Sequence, residues 1–359
     1  MTHVTPSSRP GEAVTARSPA KVNLQLSVGP PGEDGYHDLV TVFHAVSLFD
    51  EVTVRPASRT SVVVTGEGGA SVPLGSANLA VRAAAALAQA TGRRGRAGRA
   101  ASGVRIEIRK RIPVAAGLAG GSADAAAALV ACNELWRAGA SPRELRDLGA
   151  QIGSDVPFAL IGGTAVGQGR GDRLTRALAS GSYHWVLAFA AGGLATPDVY
   201  AACDRLRARV NAARDTAGDG AGAHGAGAGG AGAGGAGAQG TVVEGGRAIV
   251  PAPELSTELM AALRSGDPAA VGPLLTNDLQ PAALSLQPVL RRALAAGREL
   301  GALGAIVSGS GPTCAFLAAD ATKARDLAVA ITGAGVCRAV VQVSGPAPGA
   351  CVVDPRASE

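Results

Sequence analysis

Aromatic side chains are scarce in this chain: Phe, Trp and Tyr make up 3% of its 359 residues, and charged residues only 17%. A core must therefore be built from Ala, Val and Leu. No stretch offers the ~18 consecutive strongly apolar residues of a membrane span. The opening MTHVTPSSRPGEAVTARS lacks the apolar segment of a secretory signal and reads, over residues 1–17, as a short disordered leader. The cysteines Cys132, Cys203, Cys314, Cys337 and Cys351 are odd in number and never in C-x-x-C spacing. That argues for a reducing cytoplasm and against a disulfide framework or zinc site. Lysine is nearly missing: Lys21, Lys110 and Lys323 stand against thirty arginines. The formal net charge is +5. The basic residues are nevertheless dispersed and not interleaved with aromatics, so a solvated Arg-rich surface is expected and no nucleic-acid partner.

What is present is a mixture of strand and helix signals. Residues 21–28 alternate, with Val22, Leu24, Leu26 and Val28 on one face and Lys21, Asn23 and Gln25 on the other, the pattern of a strand with one buried face. Val52 and Val54, residues 62–65 and residues 104–110 predict further strands; Lys110 and Lys323 read as surface residues. Residues 78–91 predict an Ala-rich helix. Ser141-Pro142-Arg143-Glu144 is a capping box with Pro at the first helical position, and Gly153 can stop the helix it starts. Residues 162–173 resemble a hairpin. In the second half, strands are expected at 183–190, 305–308, 313–318 and 338–344, and helices at 196–211, 254–264, 267–275, 285–300 and 321–332. Residues 212–248, almost pure Ala and Gly, have little apolar surface to offset chain entropy and read as a disordered insertion. Strands and helices without regular βαβ repetition predict an α+β chain in two lobes.

The strongest local signal is Pro113-Val114-Ala115-Ala116-Gly117-Leu118-Ala119-Gly120-Gly121-Ser122-Ala123, entering an Ala-rich helix. Small residues let backbone amides approach an anion, and a helix N-terminus adds unpaired N–H groups and partial positive charge. Ser122 either caps that helix or turns its hydroxyl towards phosphate or magnesium. No Gly-Lys-Ser/Thr follows, so this is not a Walker A loop. The glycine spacing also departs from a dinucleotide fingerprint, which counts against a nicotinamide-dependent dehydrogenase.

This Pro-x3-Gly-Leu-x-Gly-Gly-Ser run resembles the ATP loop of the GHMP kinases. It lies between two other segments similar to that family: Ser18-Pro19-Ala20-Lys21-Val22-Asn23-Leu24 with Asp34-Gly35-Tyr36-His37-Asp38-Leu39, and Ser308-Gly309-Ser310-Gly311-Pro312-Thr313. Gly153-Ser154-Asp155-Val156-Pro157-Phe158 completes the set, and the similarity runs from about Ser18 to Ser344 outside the insertion. Ala116 and Ala119 stand where relatives often carry Gly, which puts nucleotide affinity in question. The resemblance implies a two-lobed fold. A lobe like ribosomal protein S5 domain 2 spans 18–178 and a ferredoxin-like lobe 179–345, interrupted by 212–248 and followed by a tail, 346–359. It also implies an active site between the lobes, ATP as donor and a divalent metal, with Mg2+ expected and Ser122 a candidate ligand.

Phosphoryl transfer needs positioning, charge neutralisation and a group to take the hydroxyl proton. Asp155 has two readings from its residues alone, catalytic base or helix cap; the resemblance assigns the catalytic aspartate here. Lys21, a rare lysine beside Asn23 on the polar face of a strand, suits a compact ammonium that hydrogen-bonds Asp155 and meets charge on the γ-phosphate. Tyr36 and His37 offer a stacking face and hydrogen bonds, although a Tyr packed in the core is the commoner case. The resemblance implies that they read the cytosine of a cytidine-diphosphate-linked polyol. Asn23 and Thr196 are further substrate candidates, with N-capping a competing role for Thr196. Asn78 is expected to border the adenine pocket. Ser308, Gly309, Ser310 and Gly311 either close the active site with backbone amides or form a tight turn between strands. Competing readings are a GHMP kinase for homoserine, mevalonate or a sugar, and an RNA-binding module sharing the topology of the first lobe. A small-molecule enzyme, monomeric or weakly dimeric and not membrane-bound, is expected.

Overall fold

A computed structural model describes residues 13–92, 103–220, 243–244, 247–248 and 250–353. The amino-terminal lobe comprises β1 (Val14–Pro31), β2 (His37–Ala57), β3 (Ser61–Gly66), α1 (Leu79–Ala90), β4 (Gly103–Lys110), α2 (Gly120–Trp136), α3 (Pro142–Ile152), α4 (Val156–Ile161), β5 (Thr164–Gly169) and β6 (Arg173–Arg176). The second half comprises β7 (Tyr183–Phe189), α5 (Thr196–Gly220), β8 (Val243–Glu244), β9 (Arg247–Ala248), α6 (Thr257–Ser265), α7 (Pro268–Val271), β10 (Thr276–Asn277), α8 (Gln280–Leu286), α9 (Val289–Glu299), β11 (Gly304–Val307), β12 (Cys314–Ala318), α10 (Ala321–Gly333), β13 (Ala339–Gly345) and β14 (Cys351–Val352).

The first sheet runs β10-β1-β2-β4-β3, with β5 pairing the first half of β2 and β6 pairing β5. Its apolar face, including Val14, Ala16, Val52, Val54, Ile106 and Ile108, packs on α1–α4. Helix α2 can lie deep because its packing residues are small: Ala123, Ala125, Ala126, Ala127, Ala128 and Ala131 are all fully buried. Removing that much alanine surface from water, at about 25 cal/mol per Å², stabilises a helix that carries few large side chains. Helix α3 begins at the expected capping box, with Glu144 N donating to Ser141 Oγ and Ser141 N donating to Glu144 Oε2.

The second sheet is antiparallel in the order β11-β12-β7-β13, the ferredoxin-like arrangement of two split βαβ units. Alternation along β7 divides its two faces. Tyr183, Trp185, Leu187 and Phe189 pack towards α6 and the first sheet, whereas Val186 and Ala188 pack with residues of α5, α9 and α10. The lobes therefore share a continuous core instead of touching at a hinge.

Several expectations need correction. Residues 14–17 are not leader: they form the start of β1, with Val14–Arg17 in register with Val54–Glu51. Residues 346–353 are not a loose tail, because Ala16 and Arg17 pair with Val352 and Cys351 in β14, and Ala347 is buried. Residues 212–220 continue helix α5, consistent with the high helix propensity of Ala. Val243–Glu244 and Arg247–Ala248 form a small antiparallel ladder; the remainder of the Gly/Ala-rich segment and residues 1–12 lie outside the described residues. Lys110 is not on the surface but 3% exposed, between Asp50 and Asp124.

Candidate active site

The polar face of β1 does not meet bulk water. Lys21, Asn23 and Gln25 are 6%, 2% and 5% exposed: the loop before α2 and the turn between β11 and β12 close over Lys21 and Asn23, while Gln25 donates to Glu254 O and accepts from Ser256 N. Lys21 N donates to Leu118 O, tying the strand to the loop. Gly117 has φ +75°, and a Cβ there would overlap the Ser308 carbonyl oxygen. Ser308 Oγ donates to Gly117 O (3.2 Å), and Gly311 N donates to Ser308 O. Loop and turn thus interlock at a glycine that no other residue can replace without displacing backbone. Asn277 fixes the turn from below, donating from Nδ2 to Val307 O (2.7 Å) and Gly309 O (2.8 Å).

A cleft of about 480 Å³ opens between these elements. Lining it are Lys21, Asn23, Asn78, Pro113, Val114, Ala115, Ala116, Gly117, Ala119, Gly120, Gly121, Ser122, Asp155, Thr196, Gly309 and Ser310, so most of the residues singled out in the sequence converge there. Leu118 and Ala123 instead point into the core. Helix α2 starts at Gly120, two residues before Ser122, with Ala119 at the cap in left-handed geometry (φ 59°). Ser122 is therefore not the cap. Its hydroxyl has no protein partner among the described residues and faces the cleft. Ala115 also has positive φ (52°), so the strained alanines are Ala115 and Ala119 rather than Ala116. The strain is of order 1–2 kcal/mol per residue. Asn78 accepts from Ala80 N (2.9 Å) and Val81 N (3.4 Å) as the N-cap of α1, at the cleft edge.

Asp155 precedes α4, but its carboxylate makes no capping hydrogen bond, which removes the simple structural reading of this residue. The expected Lys21–Asp155 hydrogen bond is not formed. Lys21 Nζ donates to Asn23 Oδ1 at 2.6 Å, and Asn23 Nδ2 donates to Thr41 Oγ1 at 2.8 Å. Burial lowers the Lys21 pKa, with the Asp155 charge opposing that shift. The two groups thus interact across the cleft without direct contact, leaving room between them for a reacting group. Thr196 Oγ1 lies 3.0 Å from Ser310 Oγ, bridging α5 to the turn instead of capping α5.

A second cavity, of about 420 Å³, shares Leu39, Ser154, Arg170, Thr196 and Tyr200 with the first and adds Tyr36, His37 and Asp204. Tyr36 is 53% exposed, not packed in the core, and the Arg170 guanidinium sits 3.7 Å from its ring centre. The His37 ring is 5.0 Å from that of Tyr200, and its Nε2 is 3.0 Å from Asp204 Oδ1.

Beneath the loop lies a charged group that the sequence reading missed. Lys110 Nζ donates to Asp50 Oδ2 and, at 2.8 Å, to Asp124 Oδ2. Asp50 Oδ1 accepts from Arg111 N (2.6 Å) and Ile112 N (2.9 Å), fixing the chain where it enters the loop. Burial pushes the Asp124 carboxyl up to about 8 against the pull of Lys110, with Asp50 adding to the rise. Burial would lower the Lys110 pKa, but the two carboxylates more than offset it and raise it. Asp124 Oδ1 has no partner.

A two-lobed α+β fold with a small-residue loop, a helix N-terminus and an uncapped Asp facing a buried Lys defines a phosphotransferase of the GHMP type, and the chain belongs to the GHMP kinases. Residues 78–163 match the model of the GHMP kinases N terminal domain and residues 259–337 that of the GHMP kinases C terminal. Curated relatives carry the name 4-diphosphocytidyl-2-C-methyl-D-erythritol kinase. One from Mycolicibacterium gilvum is 51% identical over 344 residues (96% of this chain, 94% of that one). Another from Nocardia farcinica is 50% identical over 342 residues (95% and 97%). A crystal structure of 4-(cytidine 5'-diphospho)-2C-methyl-D-erythritol kinase is similar at 31% identity and TM-score 0.65, covering 92% of this chain and 98% of that chain. A homoserine kinase from Cytophaga hutchinsonii shares the fold, at 17% identity and TM-score 0.64, over 98% and 100% of the two chains.

Proposed function

We propose that this kinase transfers the γ-phosphate of ATP to the 2-hydroxyl of 4-diphosphocytidyl-2-C-methyl-D-erythritol, a step of the non-mevalonate route to isoprenoid precursors. The observation that carries this reading is the pair of adjoining cavities. One holds the phosphate loop, Lys21 and Asp155; the other has aromatic walls at Tyr36, His37 and Tyr200, the size and character of a nucleoside site. A substrate with a nucleoside at one end and a polyol at the other spans the two, whereas homoserine, mevalonate or galactose fills only the first. Names of relatives at about half identity over nearly the whole chain point the same way.

In this reading the amides at the start of α2 receive the triphosphate, helped by the helix dipole. Asp155 takes the proton of the attacking hydroxyl as its oxygen bonds to the γ-phosphorus and the bond to the ADP oxygen breaks. Lys21, held by Asn23, meets the negative charge on the transferring group. A divalent metal, Mg2+ by expectation, would arrive on the nucleotide. Among the described residues no cluster of three or more His, Cys, Asp or Glu could bind one alone, and Mg2+ ordinarily takes only one or two protein ligands besides phosphates. The free Ser122 hydroxyl would hold it. Bound there, it would neutralise charge on the phosphate oxygens. Tyr36 and His37 bind the cytosine. The same reading places the enzyme in the cytoplasm, acting on small molecules as a monomer or weak homodimer. Among the described residues no helix is long and apolar enough to cross a membrane.

The test is an ADP-release assay comparing the cytidyl substrate with free methylerythritol phosphate, homoserine, mevalonate and galactose. Preference for any of the last three would overturn the substrate assignment.

A further inference from the structure

The nucleoside cavity contains a polar pair that neither the phosphate chemistry nor the fold requires. His37 Nε2 and Asp204 Oδ1 are 3.0 Å apart, joining β2 to α5 across 167 residues of sequence. A carboxylate is an acceptor only, so Nε2 must carry the proton and donate. In the neutral imidazole that leaves Nδ1 bare, an acceptor. Nδ1 has no protein partner among the described residues and is not among the sealed-off polar atoms, so it is available to a ligand. The ring is held in place by the Asp204 contact on one side and by Tyr200, 5.0 Å away between ring centres, on the other.

We infer that Asp204 is a positioning residue that sets which pyrimidine the site accepts, by fixing the His37 tautomer; this rests on the substrate reading above. Cytosine presents an amino group at C4, a donor; uracil presents a carbonyl oxygen there, an acceptor. An Nδ1 acceptor completes a hydrogen bond with the first and faces a lone pair on the second. Without Asp204 the imidazole can place its proton on either nitrogen and rotate, so His37 can accept from cytosine or donate to uracil. Discrimination would then collapse even though no atom touching the base has been removed. Asp204 is itself partly exposed, its side chain 36% accessible, so its replacement does not excavate the core.

The experiment measures kcat/KM of the full chain for the cytidyl substrate and for its uridyl analogue, in the wild type, Asp204→Ala, His37→Phe and the double variant. The wild type is expected to favour the cytidyl form by roughly tenfold or more, the cost of an unmet edge hydrogen bond. Asp204→Ala should bring the ratio within about threefold of unity, through KM for the cytidyl substrate, with kcat and ATP affinity little changed. Asp204→Glu should restore part of the preference. Adding Asp204→Ala to His37→Phe should change the ratio no further, because the aspartate acts only through the histidine. An unchanged ratio in Asp204→Ala, or a further loss in the double variant, overturns the inference while leaving the substrate reading intact. A wild type that does not phosphorylate the cytidyl form overturns both.

Discussion

The Lys110 ammonium donates to the Asp124 carboxylate at 2.8 Å, directly beneath the first turn of the helix that carries the phosphate loop. Asp50, on the neighbouring strand, receives the same ammonium and two backbone N–H groups at the loop entrance. One cation therefore joins strand, loop and helix, and its loss should be felt in both fold and nucleotide site. Lys110→Met should cost about 3–5 kcal/mol, the usual penalty for stranding buried charge, measured by urea unfolding. It should also raise KM for ATP. Equal stability of Lys110→Met and wild type would mean that the group is not the anchor described.

Asp155 has no capping role, so its replacement separates chemistry from folding. Asp155→Asn should lower kcat by on the order of 10²-fold or more, as expected for a positioned base. The melting temperature and ATP affinity by calorimetry should stay close to wild type. Near-normal kcat would assign the proton to another acceptor. Lys21→Arg should also be harmful, since a planar fork cannot replace an ammonium packed against Asn23 and Gly309.

Two glycines of the loop should respond in opposite ways to the same substitution. Gly117→Ala places a Cβ on the Ser308 carbonyl at a positive φ, and should lower the melting point and weaken ATP binding together. Gly121 lies inside α2, and its Cβ would meet only Leu79 Cδ1 at 3.4 Å. Gly121→Ala should therefore leave the fold intact or stabilise it by up to about 1 kcal/mol, while crowding the phosphate site and raising KM for ATP. Thermal melts and ATP titrations on the two variants check both claims.

The pH profile of stability should show two buried groups pulling in opposite directions. His44 is fully buried, and burial lowers its pKa from 6.5 to about 3. The unfolded chain therefore binds a proton that the folded chain refuses, and stability present above about pH 6.5 is lost as pH falls towards 3. The loss is on the order of 5 kcal/mol at the acid limit. Asp124 has the reverse sign. Its carboxyl titrates near 8 when folded, so its contribution is greatest below about pH 4 and is lost as pH rises through 8. Urea unfolding across pH 3–9 should show the acid slope reduced in His44→Gln and the slope between pH 4 and 8 reduced in Asp124→Asn. Unaltered slopes in the variants would assign the pH dependence to other groups.

Much of the lining of the cleft was legible because small residues and rare residues announce themselves. A Gly/Ala run entering a helix, and a lysine in a chain that otherwise uses arginine, carry information that survives without a structure. The Lys110 group was legible too, but only through phase. Val104, Ile106, Ile108 and Lys110 share one face of β4, and Asp50, Val52 and Val54 share one face of β2. Reading Lys110 as exposed followed its charge and ignored its parity. The placement of β14 was not legible, because its partner lies more than 330 residues away, and the start of β1 was not, because its pairing with Val54–Glu51 of β2 leaves no mark in its own pattern. The Lys21–Asn23 contact was hidden for a different reason: alternation shows which side chains share a face but not which of them meet.

The pairing of β14 with the start of β1 bears on how the protein is made. The first strand leaves the ribosome early, yet its partners at Thr276–Asn277 and at Cys351–Val352 are translated roughly 250 and 335 residues later. Until then one edge of β1 is open, a ready template for another chain. Synthesis from N- to C-terminus thus forces the amino-terminal lobe to wait for the carboxyl-terminal segment, and the earliest strand is among the last to be completed.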